Sequence, residues 1–237
     1  MKTTIKIISL LMFAAISSCK KETNTVQLDG GSINVTNAII GAPTLNMMNA
    51  PNVVSANNSI ANNNYAFLPI VSGQVQAKFG VPAIAATPTS PAVPAVVYFT
   101  APVTVDKNSN YSLFLTGTSI NAIDNVLIKE NYAHAYADST FGVRFINLSP
   151  GSSPISVDIA GSANGSEANN LAYKAYSNFV KHPALKSTLS YKFEFRDATT
   201  GNLITTYTLP TPYFHNVTLC LRGTVAGSVG VIRDNDY

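Results

Sequence analysis

The side chains that most often carry chemistry are few in this sequence and stand far apart along it. The histidines are His134, His182 and His215, and none is spaced from another histidine, a cysteine or a carboxylate as zinc ligands usually are. His134 stands in a polar connecting segment, His182 directly precedes a proline, and His215 precedes a strand-like run. We expect all three to be surface residues, and the sequence indicates no metal site.

Nucleophilic and carboxylate catalysis also lack their usual patterns. No Gly-x-Ser-x-Gly run, from which many serine hydrolases build a nucleophile elbow, occurs in the chain. The 12 acidic residues stand mostly in turn-like segments, so the facing carboxylates that a glycosidase needs are not indicated. Asp234 and Asp236 could offer oxygen ligands to calcium, but a polar C-terminal tail fits them better. We predict that the protein is not an enzyme and has no cofactor.

The composition predicts an all-β protein with a neutral polar surface. Charged residues make up 11% of the chain, against about one quarter in typical soluble domains. Hydrophobic residues make up 46%, and the 11 Tyr and 11 Phe suit pleated sheets. The formal charge of +3 falls to +1 if the segment that contains Lys2 and Lys6 is removed, which is no electrostatic footprint for nucleic acid.

Residues 1–18 have the composition of an export signal. A basic start precedes an apolar run over residues 7–16, which is shorter than the about 20 residues of a membrane-spanning helix. The run Ile-Ser-Ser-Cys that ends at Cys19 resembles the lipobox of bacterial lipoproteins, and the Lys-Lys-Glu after it resembles the start of lipoproteins of the Bacteroidetes type. The resemblance implies that Cys19 is diacylated and becomes the N-terminus, and residues 19–31 are then a lipidated, flexible tether.

The lipobox resemblance predicts a place in the cell envelope, as an outer-membrane lipoprotein that faces the periplasm or is exposed on the surface. Two acyl chains anchor a protein stably, whereas one holds it only marginally. If Cys19 is lipidated, Cys220 has no disulfide partner. Because Cys220 lies in an apolar strand-like run, we expect it to be a small buried hydrophobe.

The two halves of the remaining chain repeat four strand-like blocks in the same order. The blocks pair residues 33–37 with 143–147, 75–79 with 191–195, 110–118 with 216–224, and 127–132 with 231–235. Polar and apolar residues alternate in them with the period of two that marks half-buried strands. We predict two tandem β-sandwich domains of the same fold, at 32–132 and 141–237, joined by a linker at 133–140. The best helical candidate, residues 166–176, is a turn or two at most.

The second domain resembles a known family near both of its ends. The run VRFINLSP at 143–150, followed by ISVDI at 155–159, resembles the opening of the domain-of-unknown-function family DUF4397, and residues 218–223 are similar to its near-terminal strand. The resemblance implies an immunoglobulin-like sandwich in an exported or surface protein and supplies no catalytic residue. The first half lacks clear equivalents of Pro150 and Asp158, so there the likeness depends on the repeat.

These observations predict a non-enzymatic cell-envelope lipoprotein whose paired sandwiches form a binding or spacer module, with loops 83–94 and 161–170 as contact regions. Its partners are then the membrane, through the lipid, and a protein or glycan ligand. Asp138-Ser139-Thr140 resembles the O-glycosylation sequon of Bacteroidetes, with Ser139 as acceptor. One alternative is an adhesin or pilus-associated structural subunit. The other is an accessory glycan-binding lipoprotein that stacks sugars on Tyr65, Tyr98, Tyr173 and Tyr213.

Overall fold

The computed structural model of the chain describes residues 30–48, 58–131, 140–184, 189–210 and 215–235. These residues form sixteen strands in four sheets of four strands, and no helix. The all-β prediction and the two β-sandwiches are therefore confirmed. Within the described ranges, no helix has the length and apolar character to cross a membrane.

The first sandwich contains eight strands in two sheets. The strands are β1 (Gly30–Asn37), β2 (Leu45–Met47), β3 (Ser59–Ile60), β4 (Asn64–Val71), β5 (Gly73–Val81), β6 (Val96–Val105), β7 (Asn110–Ser119) and β8 (Ala122–Glu130). The sheet with the strand order β4-β1-β7-β8 faces the other sandwich, and we call it the inner sheet. The outer sheet has the order β3-β2-β5-β6.

The second sandwich repeats this topology strand for strand. Its strands are β9 (Thr140–Leu148), β10 (Ile155–Ile159), β11 (Ala168–Leu171), β12 (Val180–Pro183), β13 (Ser190–Asp197), β14 (Leu203–Pro210), β15 (Val217–Arg222) and β16 (Gly230–Asn235). The inner sheet has the order β12-β9-β15-β16, and the outer sheet has the order β11-β10-β13-β14. In each half, the inner sheet thus consists of the first, fourth, seventh and eighth strands.

The strand membership of the sheets does not confirm the immunoglobulin-like type. In a constant-type immunoglobulin domain the first, second, fourth and fifth strands share a sheet. Here the first strand shares its sheet with the fourth, seventh and eighth, and it runs parallel to the seventh in both halves. The architecture of each half is therefore described as a β-sandwich.

Alternating apolar residues fill a separate core in each sandwich. On β5, Val75, Ala77 and Phe79 are buried while the residues between them are exposed, as the period of two predicts. On β13, Phe193 and Phe195 take the corresponding part, and both pack edge-on against Phe145. The equivalence of blocks 75–79 and 191–195 also agrees with the pairing, because β2 places Met47 opposite Phe79 and β10 places Val157 opposite Phe195.

The fourth repeated block was aligned wrongly, by two residues. On β7, Ser112 lies opposite Ile128, whereas its equivalent on β15, Thr218, lies opposite Asp234. Asp234 therefore occupies the position of Ile128, and not that of Glu130. A shift by one full strand period keeps every side chain on its face, so alternation alone could not reveal the error.

A buried asparagine ties the two sheets together at the same place in each sandwich. Asn37 ends β1 and donates through Nδ2 to the carbonyl oxygen of Ile60, at 3.4 Å. Asn147 on β9 donates in the same way to the carbonyl oxygen of Leu171, at 3.1 Å. Both asparagines are fully buried, so each amide satisfies backbone that water cannot reach.

Strand β11 corrects the expectation of a helical turn in residues 166–176. Residues 168–171 are extended and pair with β10 along the edge of the outer sheet. Strand β1 begins at Gly30 and β9 at Thr140, close to the predicted starts of the two domains. Residues 132–139, which hold most of the predicted linker, lie outside the described residues.

Candidate functional site

The positions that the sequence marked for modification lie outside the described residues. Neither Cys19 nor Ser139 is described, so lipidation and O-glycosylation stay predictions. His134 and Tyr213 also lie outside the described residues, so the expectations for them stay predictions too. In the part of the chain that is described, no three His, Cys, Asp or Glu side chains come together as metal ligands.

His182 is buried, so the expectation of a surface residue is wrong there. It lies on β12, and its Nε2 atom is 3.1 Å from a carboxylate oxygen of Glu167. The ring centroids of Phe141 and Tyr191 lie 5.6 and 5.2 Å from that of the imidazole. The two aromatic rings and the carboxylate of Glu167 enclose the imidazole. The pair of His182 and Glu167 is therefore a structural contact. His215 is exposed, as expected.

The inner sheets of the two sandwiches pack face to face through a third apolar cluster. Its members are Ala38, Phe114 and Ile128 from the first sandwich and Ile146, Leu148, Cys220 and Ile232 from the second. Cys220 is fully buried in it, which confirms the expectation for this thiol. Because both faces of the central strands β1, β7, β9 and β15 are covered, the two sandwiches form one four-layered body.

Asp234 links the sandwiches and is not part of a polar tail. Its carboxylate on β16 is fully buried and accepts hydrogen bonds from the amide of Asn34 and, at 2.5 Å, from the hydroxyl of Thr36. Loss of hydration raises the pKa of Asp234 to about 6, although both hydrogen bonds and the nearby Arg144 favour the ionised form. These donors already occupy both oxygens, so a calcium site is not built here.

Arg144 on β9 makes the second polar link. Its Nη1 and Nη2 atoms donate to the two carboxylate oxygens of Glu130, at 3.0 and 2.7 Å, and its Nε donates to the hydroxyl of Thr218 at 3.0 Å. The side chains of Arg144 and Glu130 are only 3% and 2% exposed. The guanidinium also lies over the ring of Phe179, 4.6 Å from its centroid. A bidentate pair of this kind fixes an orientation between the sheets that carry it.

At two corners of this interface, a turn of one sandwich meets the end of a hairpin of the other. Equivalent backbone contacts define the two turns. The backbone N–H of Asn63 donates to the carbonyl of Asn37, and that of Lys174 donates to the carbonyl of Asn147. Both Asn63 and Lys174 have a left-handed backbone, with φ of 58° and 69°. The turns are therefore the same structure on different residues.

The corner of the β11–β12 turn is closed by its own side chains. The Nζ atom of Lys174 lies 2.7 Å from a carboxylate oxygen of Asp124 on β8. The preceding residue, Tyr173, shares a hydrogen bond with Thr116 on β7. The ion pair lowers the pKa of Asp124 and raises that of Lys174, chiefly through their hydrogen bond. We call these four residues the closed corner.

The corner of the β3–β4 turn is open and holds a cleft of about 270 Å³. Asn62 and Asn63 take the places of Tyr173 and Lys174, and Arg222 takes the place of Thr116 on the facing hairpin. Arg222 pairs across the hairpin with Gly230, just as Thr116 pairs with Asp124. The open corner thus has a cation where the closed corner has a hydroxyl, and no side chain where the closed corner has a carboxylate.

The Nε atom of Arg222 is buried and has no hydrogen-bond partner among the described residues. Its guanidinium lies against Gly230, where an added Cβ atom would come within 2.9 Å of Nη2. A buried donor without an acceptor costs free energy, of the order of 1–3 kcal/mol. Because Arg222 lines the cleft, its guanidinium can donate hydrogen bonds to an acceptor from outside the protein.

The rest of the lining combines neutral polar groups with two apolar residues. The polar residues are Asn62, Asn63, Thr224 and Ser228, and the apolar ones are Ala38 and Ile40. The amide of Asn62 donates to the carbonyl of Ile39 at 2.9 Å and accepts from the amide of Asn63 at 2.7 Å. These bonds hold the two asparagines in place. The other polar groups of the lining stay available to a ligand.

The loops that the sequence favoured lie elsewhere. Residues 83–94 extend the β5–β6 hairpin, bridged between Ile84 and Val93, and are exposed throughout. Residues 161–170 form turns that lead into β11 on an outer sheet. Neither loop lines the cleft.

The tyrosines proposed for sugar stacking are also engaged in the fold. Tyr98 packs against the first core, and Tyr173 belongs to the closed corner. The hydroxyl of Tyr65 accepts a hydrogen bond from the amide of Asn235 across the interface, at 2.7 Å.

Sequence reasoning missed Arg222, although the signal was present. The third repeated block aligns Arg222 with Thr116, and this aligned pair has the largest difference in charge in the block. Only the packing of the two inner sheets shows that this position faces a turn of the other sandwich. Neither a family model nor a curated protein matches the sequence, so the site is interpreted from its geometry alone.

Proposed function

We propose that the protein is a non-enzymatic lipoprotein of the cell envelope, anchored through Cys19, in which two β-sandwiches act as one rigid binding module. The observation that carries this proposal is the buried interface between the inner sheets, with a polar link at Asp234 and another at Arg144. A spacer would need only a flexible connection. Buried charges that fix one orientation are better suited to keeping a cleft between the sandwiches in shape.

The lipobox-like run before Cys19 supports the anchor. Only ten residues lie between Cys19 and the first residue of β1, Gly30, which makes eleven residue steps. A chain extends at most about 3.6 Å per residue, so this tether would hold the module within about 40 Å of the membrane surface. Such a placement suits the capture of ligands at the envelope.

Detergent partitioning of the expressed full chain tests the anchor. Wild type should enter the detergent phase, and Cys19→Ala should move to the aqueous phase, because the acyl chains are lost. The matched control is Cys220→Ala, which removes the other cysteine and should leave partitioning unchanged. Detergent-phase recovery of Cys19→Ala would contradict a lipid anchor at this residue.

Sedimentation of the same preparations separates a binding module from a structural subunit. A module with closed, paired sandwiches should sediment as a monomer in detergent micelles. Filaments or large oligomers would contradict the proposal and favour an adhesin or pilus-associated subunit that adds strands at a sheet edge.

A further inference from the structure

We propose that the open corner, lined by Arg222, Asn63 and Thr224, binds a carboxylated sugar through a bidentate contact between its carboxylate and Arg222. This inference rests on the proposed binding function and names the class of ligand. The cleft is the place where two equivalent turn-and-hairpin junctions differ, so the difference between them defines what the ligand must supply.

The closed corner shows what the open corner lacks. There, a carboxylate on the hairpin meets a cation on the turn, as Asp124 and Lys174. In the open corner the cation is Arg222, which belongs to the hairpin and not to the turn. The position equivalent to Asp124 is occupied by Gly230. A ligand carboxylate would complete the same charge pair with the guanidinium of Arg222, which lines the cleft.

The charge of the lining favours a carboxylate over a phosphate. Among the described residues that line the cleft, Arg222 is the one cationic residue and none is acidic. A single positive charge balances a monoanion, whereas a phosphate monoester carries about −1.5 to −2 at neutral pH. The planar guanidinium also matches the two oxygens of a carboxylate.

The neutral lining and the size favour a sugar ring as the rest of the ligand. The amide of Asn63 and the hydroxyls of Thr224 and Ser228 can exchange hydrogen bonds with sugar hydroxyls. A volume of about 270 Å³ lies just below the roughly 300–1,000 Å³ of pockets for drug-sized ligands, so one ring fits. Turns line the cleft, and they offer no strand edge along which a peptide backbone could pair.

Calorimetric titration of the full chain in detergent micelles tests the ligand class. The probes are D-glucuronate, D-galacturonate, D-glucose, acetate and inorganic phosphate, all at neutral pH. At least one uronate should bind saturably and at least about tenfold more tightly than glucose, acetate or phosphate, because it alone offers both the charge and the ring. Equal binding of glucose would overturn the role of the charge. Equal binding of acetate or phosphate would overturn the sugar or the carboxylate, and no binding of either uronate would overturn the proposal.

Three variants locate the binding. Arg222→Gln removes the cation and should weaken uronate binding at least about tenfold. Gly230→Asp places a carboxylate across the hairpin from Arg222 and makes the guanidinium shift, because the added Cβ atom would come within 2.9 Å of Nη2, and it should weaken binding similarly. The control Lys174→Gln changes the closed corner and should leave uronate affinity unchanged.

The results for these variants separate the ligand from the broader function. Unchanged affinity in both Arg222→Gln and Gly230→Asp would overturn the site. Circular dichroism spectra equal to that of wild type would show that the variants are folded. Failure of the uronates would leave the partitioning and sedimentation outcomes intact, so this inference and the proposed function fail separately.

Discussion

The closed and open corners are built on the same backbone, and their side chains alone make them different. In each, a left-handed residue after the outer-sheet edge strand turns the chain back, at Asn63 in one corner and at Lys174 in the other. In the closed corner the sandwiches contribute opposite charges to each other. In the open corner they contribute two amides and one cation, and a cleft remains. A duplicated fold can thus keep one junction for cohesion and leave the other for a ligand.

The comparison of the two corners depends on a fixed orientation of one sandwich relative to the other. Arg144→Ala is the substitution expected to disturb that orientation most. The variant leaves the carboxylate of Glu130 buried without its cation. Breaking a buried pair from one side costs about 3–5 kcal/mol of unfolding free energy. Urea unfolding followed by circular dichroism measures the loss.

Two further variants sharpen this result. Lys129→Ala removes an ion pair with Asp106 that lies on the surface, and it should leave the unfolding midpoint unchanged. Replacing Arg144 by Met and Glu130 by Leu together should recover most of the loss, because neither charge of this pair is then left buried without its partner. A small effect of Arg144→Ala alone would show that the pair does not hold the sandwiches.

The second link should make stability depend on pH. Asp234 has a pKa of about 6 in the folded chain, against 3.8 as the ordinary value. The folded state therefore binds the proton more tightly, so its contribution to stability is complete below pH 3.8 and is lost as the pH rises through 6. This group should lower the free energy of unfolding by about 2 kcal/mol between pH 4 and pH 7.

Comparison of wild type with Asp234→Asn over this pH range isolates the group. The variant keeps a side chain of the same shape and cannot ionise, so the difference in unfolding free energy between the two proteins should change with pH in the stated direction. A difference that is constant from pH 4 to pH 7 would mean that the carboxylate is hydrated in the folded protein.

The equivalent asparagines Asn37 and Asn147 test whether the same hydrogen bond between sheets contributes equally to the stability of the two sandwiches. Asn147→Ala should lower the free energy of unfolding by about 2 kcal/mol, because the carbonyl of Leu171 loses its donor and the N–H of Ser149 loses its acceptor. Asn37→Ala should cost less, since Asn147 also accepts from the N–H of Ser149, whereas the Oδ1 of Asn37 has no partner among the described residues. Urea unfolding of both variants decides the order, and a larger loss for Asn37→Ala would reverse it.

The smallest effect is expected at the closed corner itself. The side chains of Lys174 and Asp124 are 39% and 45% exposed, so solvent screens their attraction. Lys174→Gln should lower the free energy of unfolding by no more than about 1 kcal/mol. A loss comparable to that of Arg144→Ala would mean that the closed corner, and not the buried pair, fixes the interface.

The alternation in the sequence predicted the strands and the duplicated cores, since those depend on local patterns. Val75 and Phe79 are buried where a period of two places them, and Cys220 is buried in its apolar run. The same pattern could not fix the register of the last block, because a shift of two residues preserves the faces. The offset hid the position of Asp234, opposite Thr218.

Burial by distant residues could not be predicted locally. Asn34, Thr36 and Asp234 have the polar side chains of a solvated face, yet the other sandwich covers them. His182 is likewise enclosed by Phe141, which stands 41 positions earlier in the sequence. The cleft at Arg222 is formed by the same long-range packing, so its residue types were visible in the sequence and their meeting was not.

Differential scanning calorimetry of the full chain tests most directly whether the two sandwiches are one body. Wild type should unfold in one transition whose calorimetric and van 't Hoff enthalpies agree, because the buried interface couples the two cores. Arg144→Ala should split that transition or lower its midpoint for both sandwiches together. Two separate transitions in wild type, with only one of them moved by Arg144→Ala, would contradict a single rigid module.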